Sequence, residues 1–265
     1  MGSFEAIILA IVEGITDIMP VAARGHLHAI AHLLDLKDDK FANLYMDLLQ
    51  FGVVMAVLYS YWKRFTKLDT SHFYRKLLLG SVPTLVVFFV AGIFFEKYLL
   101  TNRAIALALI LGGIFFLFVD FVFRDSERSV KRMSRIGTGN AIAVGIWQIA
   151  GLVPGLGRPA AAIIGGLQQG LTRTMAAEFS FFISVPTYLG MSFYRLITAM
   201  IQQPDNLREN ATYLVLGNGI SFVVGLITVR FMMQFIEKFG FKYFGWYRIV
   251  AGFAILYLSS KGLME

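Results

Sequence analysis

Cysteine is absent from this 265-residue sequence, which excludes a disulfide scaffold. Charge is scarce too. Only 15% of the residues are Asp, Glu, Lys or Arg, against about 25% in a typical soluble domain. That shortage argues against an ordinary cytosolic enzyme, and a 57% hydrophobic content excludes a disordered chain. What the sequence holds instead is a series of long apolar runs and a mean hydropathy of +0.67. The formal charge is +7, yet the Lys and Arg sit in short loops between those runs. Membrane topology produces that pattern, so nucleic acid is excluded as a partner. The composition is that of a polytopic membrane protein.

A bilayer core of about 30 Å needs about 20 mostly apolar residues per helix. Six segments meet or nearly meet that length: 44–61, 77–95, 105–123, 179–200, 213–235 and 243–258. Two further apolar stretches do not. Residues 4–12 meet Glu13, Asp17 and Pro20 before they could cross, and 141–153 is interrupted by Gln148 and ends at Pro154-Gly155. Half-length helix, break, half-length helix describes a re-entrant hairpin, which is tolerated only where protein or a polar cavity surrounds the broken backbone. The first stretch does not read as a cleaved signal peptide, because no basic residue precedes it and acids follow it. The expected fold is all-α, with about six transmembrane helices and two opposed re-entrant hairpins in one membrane domain over 1–265.

Loop charge sets the orientation. Lys63, Arg64, Lys67, Arg75 and Lys76 follow the first span, and Arg124, Arg128, Lys131, Arg132 and Arg135 follow the third. Both loops are expected on the cytoplasmic side, which places both termini outside. The first hairpin then enters from outside and the second from the cytoplasm. Opposed hairpins suggest an inverted repeat, about 1–123 against about 136–258. Pro20-Val-Ala-Ala-Arg24 is echoed by Pro154-Gly-Leu-Gly-Arg158, and Asp47 and Glu178 each open the span after a hairpin. Folds of that kind bind anionic groups near the midplane, at half-helix N-termini.

Ionisable groups at membrane depth are costly and point to function. Glu13 and Asp17 share one helical face, with Arg24 and His26 just past the break. The two carboxylates could hold Mg²⁺ or Ca²⁺, which take oxygen ligands, or could simply neutralise Arg24 and Arg158. Arg158, after a Pro-Gly turn and before a run of small residues, has the setting of an anion site, although the same residues suit tight helix packing. His28 and His32 have the i, i+4 spacing of metal ligands but lack an evident third, and are read as interfacial histidines. Trp62, Tyr243, Trp246 and Tyr247 near span ends suit an aromatic belt. Asp120 and Arg230, inside spans, either pair or snorkel.

Four stretches resemble the bacterial undecaprenyl-diphosphate phosphatases, the bacitracin-resistance type of membrane enzyme that recycles the carrier lipid of cell-wall synthesis. They are Glu13-Gly-Ile-Thr-Asp-Ile-Met-Pro-Val-Ala-Ala-Arg-Gly-His26, Pro154-Gly-Leu-Gly-Arg158 with Gly165-Gly166, Glu178-Phe-Ser-Phe-Phe-Ile-Ser-Val-Pro186, and Phe244-Gly-Trp-Tyr-Arg-Ile249. The resemblance implies a bacterial inner-membrane location, a polyprenyl (di)phosphate ligand, and catalysis by His26, Glu13, Asp17 and Arg158. From the residues themselves, Arg24, Arg158, Gly155, Gly157 and Gln148 are the headgroup-binding candidates, and a homodimer is allowed for. The departures are specific. The family's second Glu is Asp17, its two serines are Ala22 and Ala23, and its threonine is Arg24. The serines flanking Arg158 are Gly157 and Pro159, and a second threonine is Ala162. Alanine cannot attack phosphorus, so a serine route is closed and His26 or an activated water must serve. The alternative is a non-hydrolytic carrier of a phosphate-bearing lipid, using Arg24 and Arg158 together.

Overall fold

The computed structural model describes residues 1–67, 70–123 and 129–263. Among them the regular structure is α-helical, apart from a 3-10 turn at Met133–Arg135 and one β-bridge between Val130 and Leu171. Arg124 and Arg128 of the second basic loop lie outside the described residues.

Helix α1 (Ser3–Thr16) stops at Asp17, and α2 (Ala23–Leu33) starts after the break around Pro20. Next come α3 (Lys40–Leu48) and α4 (Gln50–Ser60), nearly one rod with an irregularity at Leu49, then α5 (Trp62–Lys67), α6 (Thr70–Leu99) and α7 (Asn102–Val122). The second interrupted stretch gives α8 (Thr138–Ala150) and α9 (Arg158–Gln168). The chain ends with α10 (Arg173–Gln202), the short α11 (Pro204–Glu209), α12 (Ala211–Phe239) and α13 (Lys242–Ser260). Both expected helix–break–helix units are present.

Side-chain caps mark ordinary helix starts. Asp39 accepts from the Phe41 and Ala42 N–H groups at 2.8 and 3.0 Å, and Thr172 accepts from Met175 at 3.3 Å. The half-helices α2 and α9 differ, starting at Ala22 and Gly157 with no side-chain cap. Their first N–H groups are left to other partners at a buried point of the fold.

Four segments are long and apolar enough to cross a membrane by length and composition: Lys40–Ser60, His72–Gly92, Asn102–Val122 and Ala211–Phe239. The spans expected at 179–200 and 243–258 are helical, but fall outside that set because α10 buries Glu178, Ser180, Ser184 and Thr187 and α13 carries Arg248. Apolar surface faces outward as in a bilayer protein. Along α1, Phe4, Ile7, Ile11 and Ile15 are exposed, while Leu9, Ala10, Glu13 and Asp17 turn inward.

Helix α10 is central, packing on α3, α4, α6, α9 and α12, and its Phe179, Phe181 and Phe182 are buried in the largest apolar cluster. Helix α1 lies on α12 and α8 lies on α6, an exchange between the two halves of the chain. Helices α7 and α13 pack through glycine: a Cβ at Gly113 or Gly245 would come within 2.8 Å of the other's carbonyl oxygen. Among the described residues, two ion pairs join α10 to the α3–α5 segment. Arg195 Nε is 3.3 Å from Asp47 Oδ2, and Arg64 pairs with Glu178.

Candidate functional site

The two breaks meet. Ala22 is held at φ +68° and Gly157 at φ +85°, and a Cβ on Gly157 would lie 3.0 Å from the Ala22 Cα. The uncapped ends of α2 and α9 therefore converge, as positive half-helix termini do at anion sites. Arg248 of α13 binds both breaks. Its Nη1 donates to the carbonyls of Pro20 at 3.1 Å and Leu156 at 2.9 Å, and its Nη2 to Gly155 at 2.8 Å. At 1% exposure this guanidinium is a buried clasp.

Arg158 opens α9 and is buried. Its Nη2 lies 3.7 Å from Asp17 Oδ1, and its Nη1 donates to Gln50 Oε1 at 3.3 Å and to Met191 Sδ at 3.1 Å. The guanidinium sits 4.0 Å from the Tyr188 ring centroid, and the Tyr188 hydroxyl donates to Asp17 Oδ1 at 3.1 Å. Asp17, Gln50, Arg158 and Tyr188 thus form one constellation drawn from four segments. Glu13 lies one turn before Asp17 and is 1% exposed. Glu13 Oε2 and Asp17 Oδ2 are buried without a hydrogen-bond partner. Carboxylate oxygens left that way are costly and call for a cation or a proton donor. A hard divalent ion with most of its coordination supplied by water or phosphate fits that donor set. Among the described residues no group of three or more His, Cys, Asp and Glu offers a fuller metal site.

The remaining predicted residues are spread around this centre. Arg24 Nη2 meets Asp47 Oδ1 at 2.5 Å, yet Arg24 and Arg158 both line a cleft of about 20 Å³. That volume suits a water molecule, so joint capture of one phosphate requires the cleft to widen. His26 Nδ1 lies 3.0 Å from the Ala22 carbonyl and Nε2 lies 2.8 Å from the Tyr247 hydroxyl. A carbonyl only accepts, so Nδ1 carries the proton and Nε2 of the neutral ring accepts from tyrosine. His26 is hydrogen-bonded to neither Asp17 nor Arg158 among the described contacts. Gln148 is fully buried, its Oε1 accepting from Thr84 and Thr187 at 3.2 and 3.1 Å and its Nε2 donating to Ser184 at 3.3 Å. It ties α6, α8 and α10 together. Gly155 supplies a carbonyl to Arg248, and Gly157 supplies the close turn. His28 and His32 form an edge-on pair at 4.6 Å.

Sequence reasoning missed Gln50, Tyr188, Tyr247 and Arg248. Gln50 carries a faint signal, a polar side chain inside an apolar run, while Tyr247 passes for a belt aromatic until its hydroxyl is seen on His26. Asp120 pairs with Arg173 at 2.9 Å, while Arg230 is exposed.

The family described as bacitracin resistance protein BacA matches residues 6–254. The chain belongs to that family. Relatives of the BacA family include an undecaprenyl-diphosphatase of Porphyromonas gingivalis strain W83, 36% identical with 99% of both chains covered. Another from Bdellovibrio bacteriovorus is 34% identical over 99% of this chain and 98% of its own. Undecaprenyl-diphosphatase 1 of Oenococcus oeni is 31% identical over 100% and 99%.

Proposed function

We propose that this protein is an undecaprenyl-diphosphate phosphatase, recycling the carrier lipid of wall synthesis as a multi-pass protein of the bacterial inner membrane. Full-length similarity to proteins named undecaprenyl-diphosphatase supports hydrolysis over the non-hydrolytic carrier. The observation that carries the reading is Arg158, buried at the start of an uncapped half-helix and paired with Asp17, where Asp17 and Glu13 each keep one buried carboxylate oxygen without a hydrogen-bond partner. Arg158 and the α9 N-terminus bind the diphosphate oxygens. Glu13 and Asp17 would hold Mg²⁺ or Ca²⁺, whose charge offsets that of the phosphates.

Alanine at positions 22 and 23 closes the serine route, and with His26 taken as the base the attacking group is water. Its oxygen bonds to the distal phosphorus as the bridging P–O bond breaks. Its proton passes to His26 Nε2, and undecaprenyl phosphate leaves with the electron pair. Tyr247 donates to Nε2 in this structure and must release it before His26 can accept that proton. Phosphate release from undecaprenyl diphosphate by the detergent-solubilised protein is the test. Arg158→Gln is expected to lower the rate about tenfold to a hundredfold, as loss of a charged hydrogen bond of about 1.5–3 kcal/mol requires. Undiminished release by a folded Arg158→Gln protein would sink the assignment.

A further inference from the structure

Beside the inner site lies a larger cavity of about 440 Å³, within the size range of small-molecule sites. It opens where the α2–α3 connection meets the C-terminal end of α10. Its wall carries four cations, Arg24, Lys37, Lys40 and Arg195, against one carboxylate, Asp47. The acid serves two arginines: Oδ1 is 2.5 Å from Arg24 Nη2 and Oδ2 is 3.3 Å from Arg195 Nε. Asp47 therefore bridges the arginines as a bound anion would, in a lining that holds more cations than carboxylates. A tetrahedral phosphate offers more acceptor oxygens than one carboxylate and matches two forked guanidinium groups better.

Gln50 gives the cavity its direction. It lines the cavity and also accepts from Arg158, so the inner constellation and the outer basic wall share one side chain. We propose that this cavity is a second anion site, selective for a phosphate group, in which Asp47 is the built-in competitor for Arg24 and Arg195. An anion leaving the Arg158 site has this wall as its next station. Binding here needs no hydrolysis, so the site stands or falls separately from the enzymatic reading.

Calorimetric titration with inorganic phosphate, at constant ionic strength in chloride, tests the site on the purified full-length protein. Two binding events are expected. Arg158→Gln removes one and leaves the other, whereas Arg195→Gln weakens the second about tenfold or more. Asp47→Asn tightens the second event, because the competitor loses its charge. Should Arg195→Gln fail to fold, the exposed double variant Lys37→Gln, Lys40→Gln must still weaken the second event. Repeating the titration with decyl phosphate separates the sources. Tighter binding than inorganic phosphate marks a lipid headgroup, and equal or weaker binding marks free phosphate. A single event, lost with Arg158→Gln and untouched by the Arg195 and Lys37/Lys40 variants, overturns the proposal.

Discussion

A buried guanidinium needs partners on every edge, and Arg158 has an acid, an amide, a thioether and an aromatic face around it. Glu13 has no such company. The fate of its unpartnered oxygen distinguishes a metal ligand from a mere counter-charge. Glu13→Gln is expected to abolish the dependence of phosphate release on divalent cations, measured by titrating Mg²⁺ after chelation. Unchanged dependence in a well-folded variant would remove the metal from the site. Ala22 poses a backbone question. A residue with a Cβ at φ +68° costs about 1–2 kcal/mol relative to ordinary helical geometry, a cost glycine escapes. Ala22→Gly is therefore expected to stabilise the protein by about 1 kcal/mol, net of glycine's greater chain entropy, and to raise its melting temperature in detergent. An equal or lower melting temperature would show that the contacts of Ala22 with Gly157 matter more than its torsion. Glu13, Asp17 and Arg158 were legible in the sequence because charge inside apolar runs is conspicuous. Arg24 was legible as a charge but not as the partner of Asp47, since that pairing spans two helices.

Helices and breaks were the most readable level, because hydropathy fixes where the chain can cross and Pro or an acid marks where it cannot. Both hairpins follow from that logic. Their closure does not, since it depends on Arg248 reaching three carbonyls from the last helix. Asp120 shows the same limit. By position it suits a partner inside the membrane, yet it accepts the Phe241 and Lys242 N–H groups at 2.7 and 3.1 Å while pairing with Arg173. It is the remote cap of α13, contributed by α7. Asp120→Ala is expected to destabilise the protein by about 1–2 kcal/mol, the range for losing a helix cap, measured as a lowered detergent melting temperature. No loss of stability would mean that water replaces the carboxylate at that corner. The uncapped half-helices carry the opposite lesson. Restoring serine at Ala23 and Pro159 adds hydroxyls on ordinary helical backbone, whereas serine at Gly157 would meet both a positive φ and the Ala22 backbone.

At the scale of the molecule, the two ion pairs joining α10 to the α3–α5 segment are reciprocal. Asp47 and Arg64 are 17 positions apart, as are Glu178 and Arg195, and each acid pairs with the other segment's arginine. At 1.5 Å per residue the pairs sit about 25 Å apart, close to the thickness of the apolar layer. The antiparallel match of charges places the outer basic cavity and the Arg64 corner toward opposite ends of α10. The same orientation governs the loops. Val130 and Leu171 are bridged at one end of the 30-residue α10, and Asp205 follows its other end. Native cysteine is absent, so single thiols can be added on a clean background. Ser134→Cys, beside Arg132 and Arg135, is expected to react with an impermeant thiol reagent only from the cytoplasmic side, and Asp205→Cys only from outside. The exposed positions of both residues make silence from both faces uninformative only if the protein is unfolded, which denatured labelling would reveal. Labelling of both sites from one face would break the opposed geometry. Labelling of each from the face opposite to that expected would keep the fold but invert it, turning the basic cavity toward the cytoplasm and overturning the positive-inside assignment.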